Sequence, residues 1–407
     1  MTAVPESEPF AFNPFTPEFM ADPYPHYAEV RRRVPVHEHP GGFWMLSRYE
    51  DVLALLRSGL SVEQRNVGPG QFRDAYANAG VTDEPRQKGL TLLDRDPPAH
   101  TRLRKLVSAA FTHRAINAME PQIRALVDEA LARIADAGGC DLVEELAFPL
   151  PFTVVSRMLG MPPTDNVRLR KLTGTLMRSV EPTTDPEVMQ AVEAADAELS
   201  ELVGDAVDWK RRNPADDLLT ALISAEDDGD VLSRDELIAQ VTMLYVAGHE
   251  TTVNLISGGT LALLRNPDQL ELLRSKPELE ANAVEEMLRF DSPVHNSRRI
   301  TLEPYHVGGY EIPAGAFILA NLAGANHDED FFGPDAEELR LERENARRHL
   351  SFGSGVHHCL GAALARIEGR VAIGELVRRF PALSLDGEVE WNGLLSLRGA
   401  ARLPVRV

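Results

Sequence analysis

The chain has 407 residues, 43% of them hydrophobic and 26% charged, the balance of an ordinary globular protein with length for one large domain or two average ones. With 62 acidic against 42 basic residues its formal charge is −20, which disfavours nucleic acid and anionic membrane surfaces as general partners. Two cysteines exclude a disulfide framework and suit a reducing cytoplasm. Residues 1–19 lack the basic flank and apolar run of a signal peptide, and no segment reaches the ~18 consecutive apolar residues of a membrane span, so neither leader nor anchor is expected.

Residues 1–12 read as a flexible N-terminus, followed by a single domain over 13–407, since no repeat, low-complexity tract or Gly/Ser linker marks an internal boundary. Apolar residues recur at helical spacing over 24–33, 48–58, 101–111, 119–136, 187–212, 234–264 and 282–289. Short strands are expected at 36–38, 43–46, 305–308 and 317–320. Between 61 and 95 runs a stretch rich in Gly, Pro, Asn and Asp with weak periodicity, the kind of long loop that acts as a lid or binding loop. Residues 179–186, with two prolines between helical patterns, form a second candidate cover.

The motifs follow in the same order. Asp96-Pro97-Pro98-Ala99-His100-Thr101-Arg102-Leu103-Arg104 opens a helix on which His100 and Arg104 lie one turn apart, both able to donate to a carboxylate. Within 234–264 stands Ala247-Gly248-His249-Glu250-Thr251-Thr252. Glycine and two β-branched threonines are poor mid-helix choices, and a threonine hydroxyl bonded back to a carbonyl one turn earlier opens a notch. Glu250 and Thr251 supply the carboxylate and hydroxyl that proton delivery needs. A zinc-protease reading of His249-Glu250 fails because position 253 is Val. Glu286 and Arg289 sit three apart, close enough for a side-chain ion pair. Residues 293–300 carry His295, Asn296, Arg298 and Arg299. A histidine buried beside an apolar cavity needs a partner: water, backbone or a polar group on a substrate.

The most informative stretch is Phe352-Gly353-Ser354-Gly355-Val356-His357-His358-Cys359-Leu360-Gly361, with helical sequence after it. A thiolate on haem iron is a strong electron donor that favours O–O cleavage, and a protein built for it must hold one cysteine rigidly. Glycines let the backbone pass close to a flat ring, and the positive end of the following helix favours the anionic sulfur. Zinc would require a second pair of thiol or imidazole ligands at short spacing, and Cys140 stands alone.

Phe-x-x-Gly-x-His-x-Cys-x-Gly, together with Ala362-Ala363-Leu364-Ala365-Arg366, resembles the haem-binding loop of the cytochrome P-450 superfamily, and the remaining motifs follow in that family's order over most of the chain. The resemblance implies a mainly α fold, one large helical domain with a small β-rich subregion, and haem b held by Cys359 as metal ligand. It implies contacts to the cofactor from Phe352, Gly353, Gly361 and Ala247, and propionate donors at His100, Arg104, Arg299 and His357. Glu250 and Thr251 become the proton relay, and Glu286–Arg289 a structural pair whose third arginine falls, by register, at Glu338, with Arg340 or Arg343 as substitutes. The substrate pocket would take in the 61–95 loop, Met243, Val246, Ala247, Val294, His295, Asn296 and the 394–397 turn with Leu395. The implied activity inserts one atom of dioxygen into a small, largely apolar organic substrate. This chain carries no flavin or nicotinamide fingerprint, so electrons would come from a ferredoxin and its reductase, docking near Arg347, Arg348, Arg366 and Arg370. A cytoplasmic monomer is expected. Peroxide-driven oxidation, oxidative coupling or rearrangement, and a non-enzymatic haem sensor are the alternatives.

Overall fold

The computed structural model describes residues 12–14, 16–70, 72–74, 91–162, 166–181, 185–227 and 229–407. Residues 1–11, much of the 61–95 loop and the middle of 179–186 lie outside this set. Phe12, expected to be flexible, is instead buried, its ring 5.5 Å from that of Phe19 in an edge-on contact.

The helix Arg234–Arg265 is the axis of the molecule. It starts at a capping box, in which the Ser233 hydroxyl accepts from Glu236 N (3.1 Å) and Glu236 Oε2 accepts from Ser233 N (2.9 Å). Apolar residues occupy nearly all its faces, so it is buried nearly all round. Pro149–Leu159, Pro186–Arg212, Glu280–Phe290 and Ala362–Arg379 pack on it. The expected helices form, among them Tyr24–Arg33, Tyr49–Arg57, Ala99–Ala110 and Glu120–Ala137. Pro149–Leu159 and Asn166–Met177 form without having been foreseen. In the first, Pro149 and Pro151 fall in the first turn, where a missing N–H is tolerated, although they read as helix breakers in the sequence.

The β-rich part is small. Val36–His39 and Phe43–Leu46 make a hairpin, Phe43–Leu46 runs parallel to Phe317–Asn321, and that strand pairs antiparallel with Asn296–Ile300, giving four strands in one sheet. Gly139–Asp141, Pro404–Arg406 and Ser384–Leu385 form a second, three-stranded sheet. Phe317–Asn321 is buried along its whole length, as a central strand covered on both faces should be. The fold is mainly α with a β subregion. Among the described residues no helix is long and apolar enough to cross a membrane.

Candidate functional site

Cys359 lies between a short turn, Gly355–His357, and the first turn of the helix Ala362–Arg379. Its amide donates to Phe352 O at 2.9 Å, closing the loop on the leading aromatic residue. The loop needs its glycines: Gly353 and Gly355 have φ of +67° and +73°, and a Cβ on Gly355 would sit 2.7 Å from Leu56 O. A Cβ on Gly361 would meet no protein atom within 4 Å. Cys359 retains accessible surface, yet enough protein surrounds the thiol for burial to push its pKa up, against the Gly361 and Ala362 amides and the Arg104 and Arg366 cations that pull it down. A metal that binds sulfur deprotonates it outright.

Beside the loop the expected carboxylate donors converge. The His100 and His357 rings lie 4.3 Å apart. His100 is buried and neither of its ring nitrogens has a hydrogen-bond partner. Burial and then the neighbouring cations, His100 first and Arg299 next, hold His357 at about 3. Arg299, also buried, is lowered to about 10 by burial and by Arg298, with Asp96 the opposing charge. These bases suppress one another's protonation because too few anions face them. Arg298 has its own carboxylate, Asp94. Arg299 donates only to oxygens of low charge: Arg298 O (2.7 Å), Ser297 Oγ (3.2 Å) and Leu56 O (3.4 Å). Arg104 donates to His358 O at 2.8 Å, which ties its helix to the cysteine loop. An orphaned buried imidazole amid crowded cations next to a thiol fits the two propionates and iron of a haem.

On the central helix the Thr251 hydroxyl donates to Ala247 O (3.0 Å) and the Thr252 hydroxyl to Gly248 O (3.3 Å), the back-bonding foreseen. The helix nevertheless continues unbroken from Arg234 to Arg265. In this otherwise buried stretch Val246, Ala247, Gly248, Glu250 and Thr251 keep accessible surface. Val246, Ala247 and Leu360 pack on the same apolar cluster, which joins the middle of this helix to the residue after Cys359.

The expected pocket residues divide differently. Met243 is buried in that cluster, Leu395 is buried in another with Phe12, Phe19 and Tyr27, and Val294 packs half-buried on a third. The 394–397 turn is held by Glu181, whose carboxylate accepts from Leu395 N (2.7 Å) and Ser396 N (2.9 Å). His295 finds a partner other than water or backbone: its Nδ1 lies 3.2 Å from the Tyr27 hydroxyl, while Nε2 has none. Burial, then Arg398 and His327, keep it neutral. Asn296 is buried with no partner at hydrogen-bond geometry for either amide atom.

Glu286 and Arg289 form a fully buried bidentate pair at 2.7 and 2.8 Å. Arg343 completes it, with Nε 3.1 Å from Glu286 Oε1. The register position, Glu338, contributes only its carbonyl, at 2.8 Å from Arg289 Nη2, and Arg340 only its amide, at 2.9 Å from Glu286 Oε1. The neighbouring Glu285 was missed: it accepts from Arg366 (2.7 and 3.1 Å) and His349 (3.1 Å). Two adjacent acids on a short amphipathic helix were the available signal, because one of them had to face inward. These contacts also correct the set of basic residues expected on the surface. Arg366 is spent on Glu285, and Arg370 lies 3.0 Å from Glu120. Arg348 covers the Phe331 ring at 5.2 Å, whereas the Arg347 side chain is 69% exposed.

Comparison with known proteins identifies the family. The family model for cytochrome P450 matches residues 32–276 and 274–394. Cytochrome P450 107B1 of Saccharopolyspora erythraea is 39% identical over 404 residues, with 96% of each chain covered. The vitamin D(3) 25-hydroxylase of Pseudonocardia autotrophica is 40% identical over 400 residues, covering 96% of this chain and 95% of that one. The solved structure of PksS, the cytochrome P450 of the Bacillus subtilis bacillaene polyketide synthase, superposes with a TM-score of 0.87 at 33% identity over 97% and 99% of the two chains. A lone cysteine on a glycine loop, crowded bases awaiting carboxylates and an acid–alcohol helix thus coincide with relatives over nearly full length, and the chain belongs to the cytochrome P450 family, as a haem b-dependent monooxygenase.

Proposed function

We propose that Cys359 would ligate the haem iron as a thiolate, that His100, Arg104, Arg299 and His357 would hold the haem propionates, and that Glu250 and Thr251 would deliver protons where dioxygen reacts. Phe352, Gly353, Gly361 and Ala247 would line the cofactor. When bound, the haem supplies the redox centre at which dioxygen is cleaved and one oxygen atom enters the substrate. The chain's own work is to hold the thiol in a closed loop, to offer cations to two carboxylates, and to keep a hydroxyl and a carboxylate side by side on a helix that is otherwise buried. The carrying observation is the cation cluster at His100, His357 and Arg299, which is short of anions and adjoins the only cysteine on a glycine loop.

The substrate is a largely apolar molecule, since Met243, Val246, Val294 and Leu395 are apolar. Electrons come from a ferredoxin and its reductase, with Arg347 and Arg348 both exposed at the expected docking face. The domain spans residues 13–407 and acts as a cytoplasmic monomer.

Cys359→Ser tests the assignment. The reduced, carbonyl-bound protein should lose the strongly red-shifted thiolate band, while Cys140→Ser keeps it. An unchanged band in the Cys359 variant would remove the reading.

A further inference from the structure

The proposed substrate pocket draws on two apolar clusters. In one, Leu169, Leu172 and Leu176 of the helix Asn166–Met177 pack with Met243, Val246 and Ala247 of the central helix. In the other, Leu395 of the 394–397 turn packs with Phe12, Phe19 and Tyr27. Glu181 joins them. It follows the terminal turn of the first helix, Arg178–Val180, and its carboxylate accepts from Leu395 N, 214 residues away (2.7 Å), and from Ser396 N (2.9 Å).

The 394–397 turn is also braced from elsewhere. Leu397 O accepts from Asn392 Nδ2 (2.8 Å) and from Asn254 Nδ2 of the central helix (3.2 Å). Ser396 O accepts from His295 N (2.7 Å), and Asn392 Oδ1 accepts from Leu394 N (3.1 Å). These bonds occupy two carbonyls and the Leu394 amide, and leave the next two amides to Glu181. Successive backbone N–H groups make an anion-binding concavity, so the turn is a receiver set by the scaffold. The carboxylate that fills it is less firmly placed. Arg178 and Val180 beside it are exposed and Glu181 itself is half-buried, whereas Glu286 of the scaffold pair is fully buried. Burial raises the Glu181 carboxyl, and the Ser396, Leu395 and Leu397 amides pull it back only in part. A carboxylate that still reaches water, and whose desolvation its partners do not fully offset, exchanges those partners for water at little net cost.

We infer that Glu181 is a releasable latch, which closes the helix Asn166–Met177 onto the 394–397 turn and opens when a ligand enters or leaves the pocket between them. Glu181 is thus a positioning residue that acts through the turn. This rests on the pocket proposed above. The latch is shut in the free and in the occupied protein alike, so it sets how often the pocket opens and not how well a ligand fits; its loss speeds entry and exit together.

The test uses holoenzyme and 4-phenylimidazole, a bulky ligand of haem iron, followed by the Soret shift in stopped flow. Glu181→Ala should raise the association and dissociation rates each about tenfold, the scale of one hydrogen bond to a charged group, and leave Kd within about twofold. Glu181→Asp, charged but one methylene short of the amides, should match Glu181→Ala. Glu181→Gln, which keeps the reach and one accepting oxygen, should lie between that and the parent. Parental rates in the three variants, or faster dissociation with unchanged association, overturn the latch and leave Glu181 a brace. Hydrogen exchange reads the receiver: in Glu181→Ala the Leu395 and Ser396 amides should exchange faster while the His295 amide keeps its protection. Protection lost at His295 as well means that the turn collapses without its carboxylate, which also overturns the inference. The pocket itself fails separately, because a parent with no Soret shift removes the pocket, whereas a shifted parent and parental rates in the variants remove only the latch. If Glu181→Ala does not fold, Glu181→Asp and Glu181→Gln carry the same comparison.

Discussion

Around Glu286 every charge has found an opposite charge within the chain, whereas around His357 like charges crowd together with few anions in reach. In the first region Glu286 holds Arg289 and Arg343, and next to it Glu285 holds Arg366 and His349. In the second, burial lowers His100, His357, Arg104 and Arg299, and neighbouring bases add to it: Arg104 at His100, His100, Arg299 and Arg104 at His357, and Arg298 at Arg299. Buried charge is expensive unless paired and hydrogen-bonded. The first region satisfies that condition on folding; on the proposed reading the second would satisfy it when the carboxylates of a cofactor bind. That reading would separate what shapes the scaffold from what receives a cofactor.

Breaking the paired region should have the largest effect. Arg289→Met leaves Glu286 buried with its bidentate partner gone, a loss of ~3–5 kcal/mol. Urea unfolding with and without haem should show the deficit in both forms. A midpoint equal to the parent's would end the claim that this cluster holds the scaffold.

The unpaired region should respond in the opposite sense. Arg299→Leu removes a buried cation without an ionic partner, so the apoprotein should be as stable as the parent or more so. Haem should be held less firmly by one charge-assisted contact, ~1.5–3 kcal/mol, or roughly ten- to a hundredfold in affinity. Haem transfer to an acceptor protein measures it. Unchanged transfer, or a destabilised apoprotein, would contradict the assignment.

Acid separates the regions by pH window. Burial pushes Glu285 up, but hydrogen bonds from His349 and Arg366 outweigh it and hold the carboxyl at about 2, below its ordinary 4.5. Its contribution to stability is therefore complete above about 4.5 and lost as pH falls toward 2. His100 is a base lowered from 6.5 by burial and Arg104, so its unfolded form binds the proton first; its contribution is complete above 6.5 and lost as pH falls below that. Haem propionates favour charged His100, so adding haem should flatten the limb below 6.5 and leave the 4.5-to-2 limb, which Glu285→Gln should flatten instead. Stability measured across pH in both forms checks this, and a limb below 6.5 that haem leaves unchanged would sink it.

The smallest effect is expected at the surface. Arg347 is largely exposed, so Arg347→Glu should slow reduction by an acidic ferredoxin severalfold at low salt, ~1 kcal/mol or less, and weaken the salt dependence. The same change at Arg370, already bound to Glu120, should also cost fold stability. Equal behaviour of the two would erase the distinction between a largely exposed cation, 3.9 Å from Glu285, and one held at 3.0 Å by Glu120.

The sequence by itself determined the long helices, the hairpin strands, the family and the order of its motifs. Those signals are local: hydrophobic period, caps and turn chemistry are written within a few residues, and Cys359 stands among four fixed identities in Phe-x-x-Gly-x-His-x-Cys-x-Gly. It also foresaw that Thr251 bonds back to Ala247, because both lie on one helix turn. Tertiary structure decided the rest. Which arginine completes the Glu286 pair depended on a loop that brings Arg343, 57 residues away, against a helix, and no register within one segment specifies that. That Arg366 is paired with Glu285, 81 residues distant, was likewise not legible. That His295 Nδ1 meets the Tyr27 hydroxyl, 268 residues away, was not legible either. A charged or polar side chain in sequence shows what it can donate or accept; only the packed chain sets what stands 3 Å from it, and that distance decides whether it is structure or site.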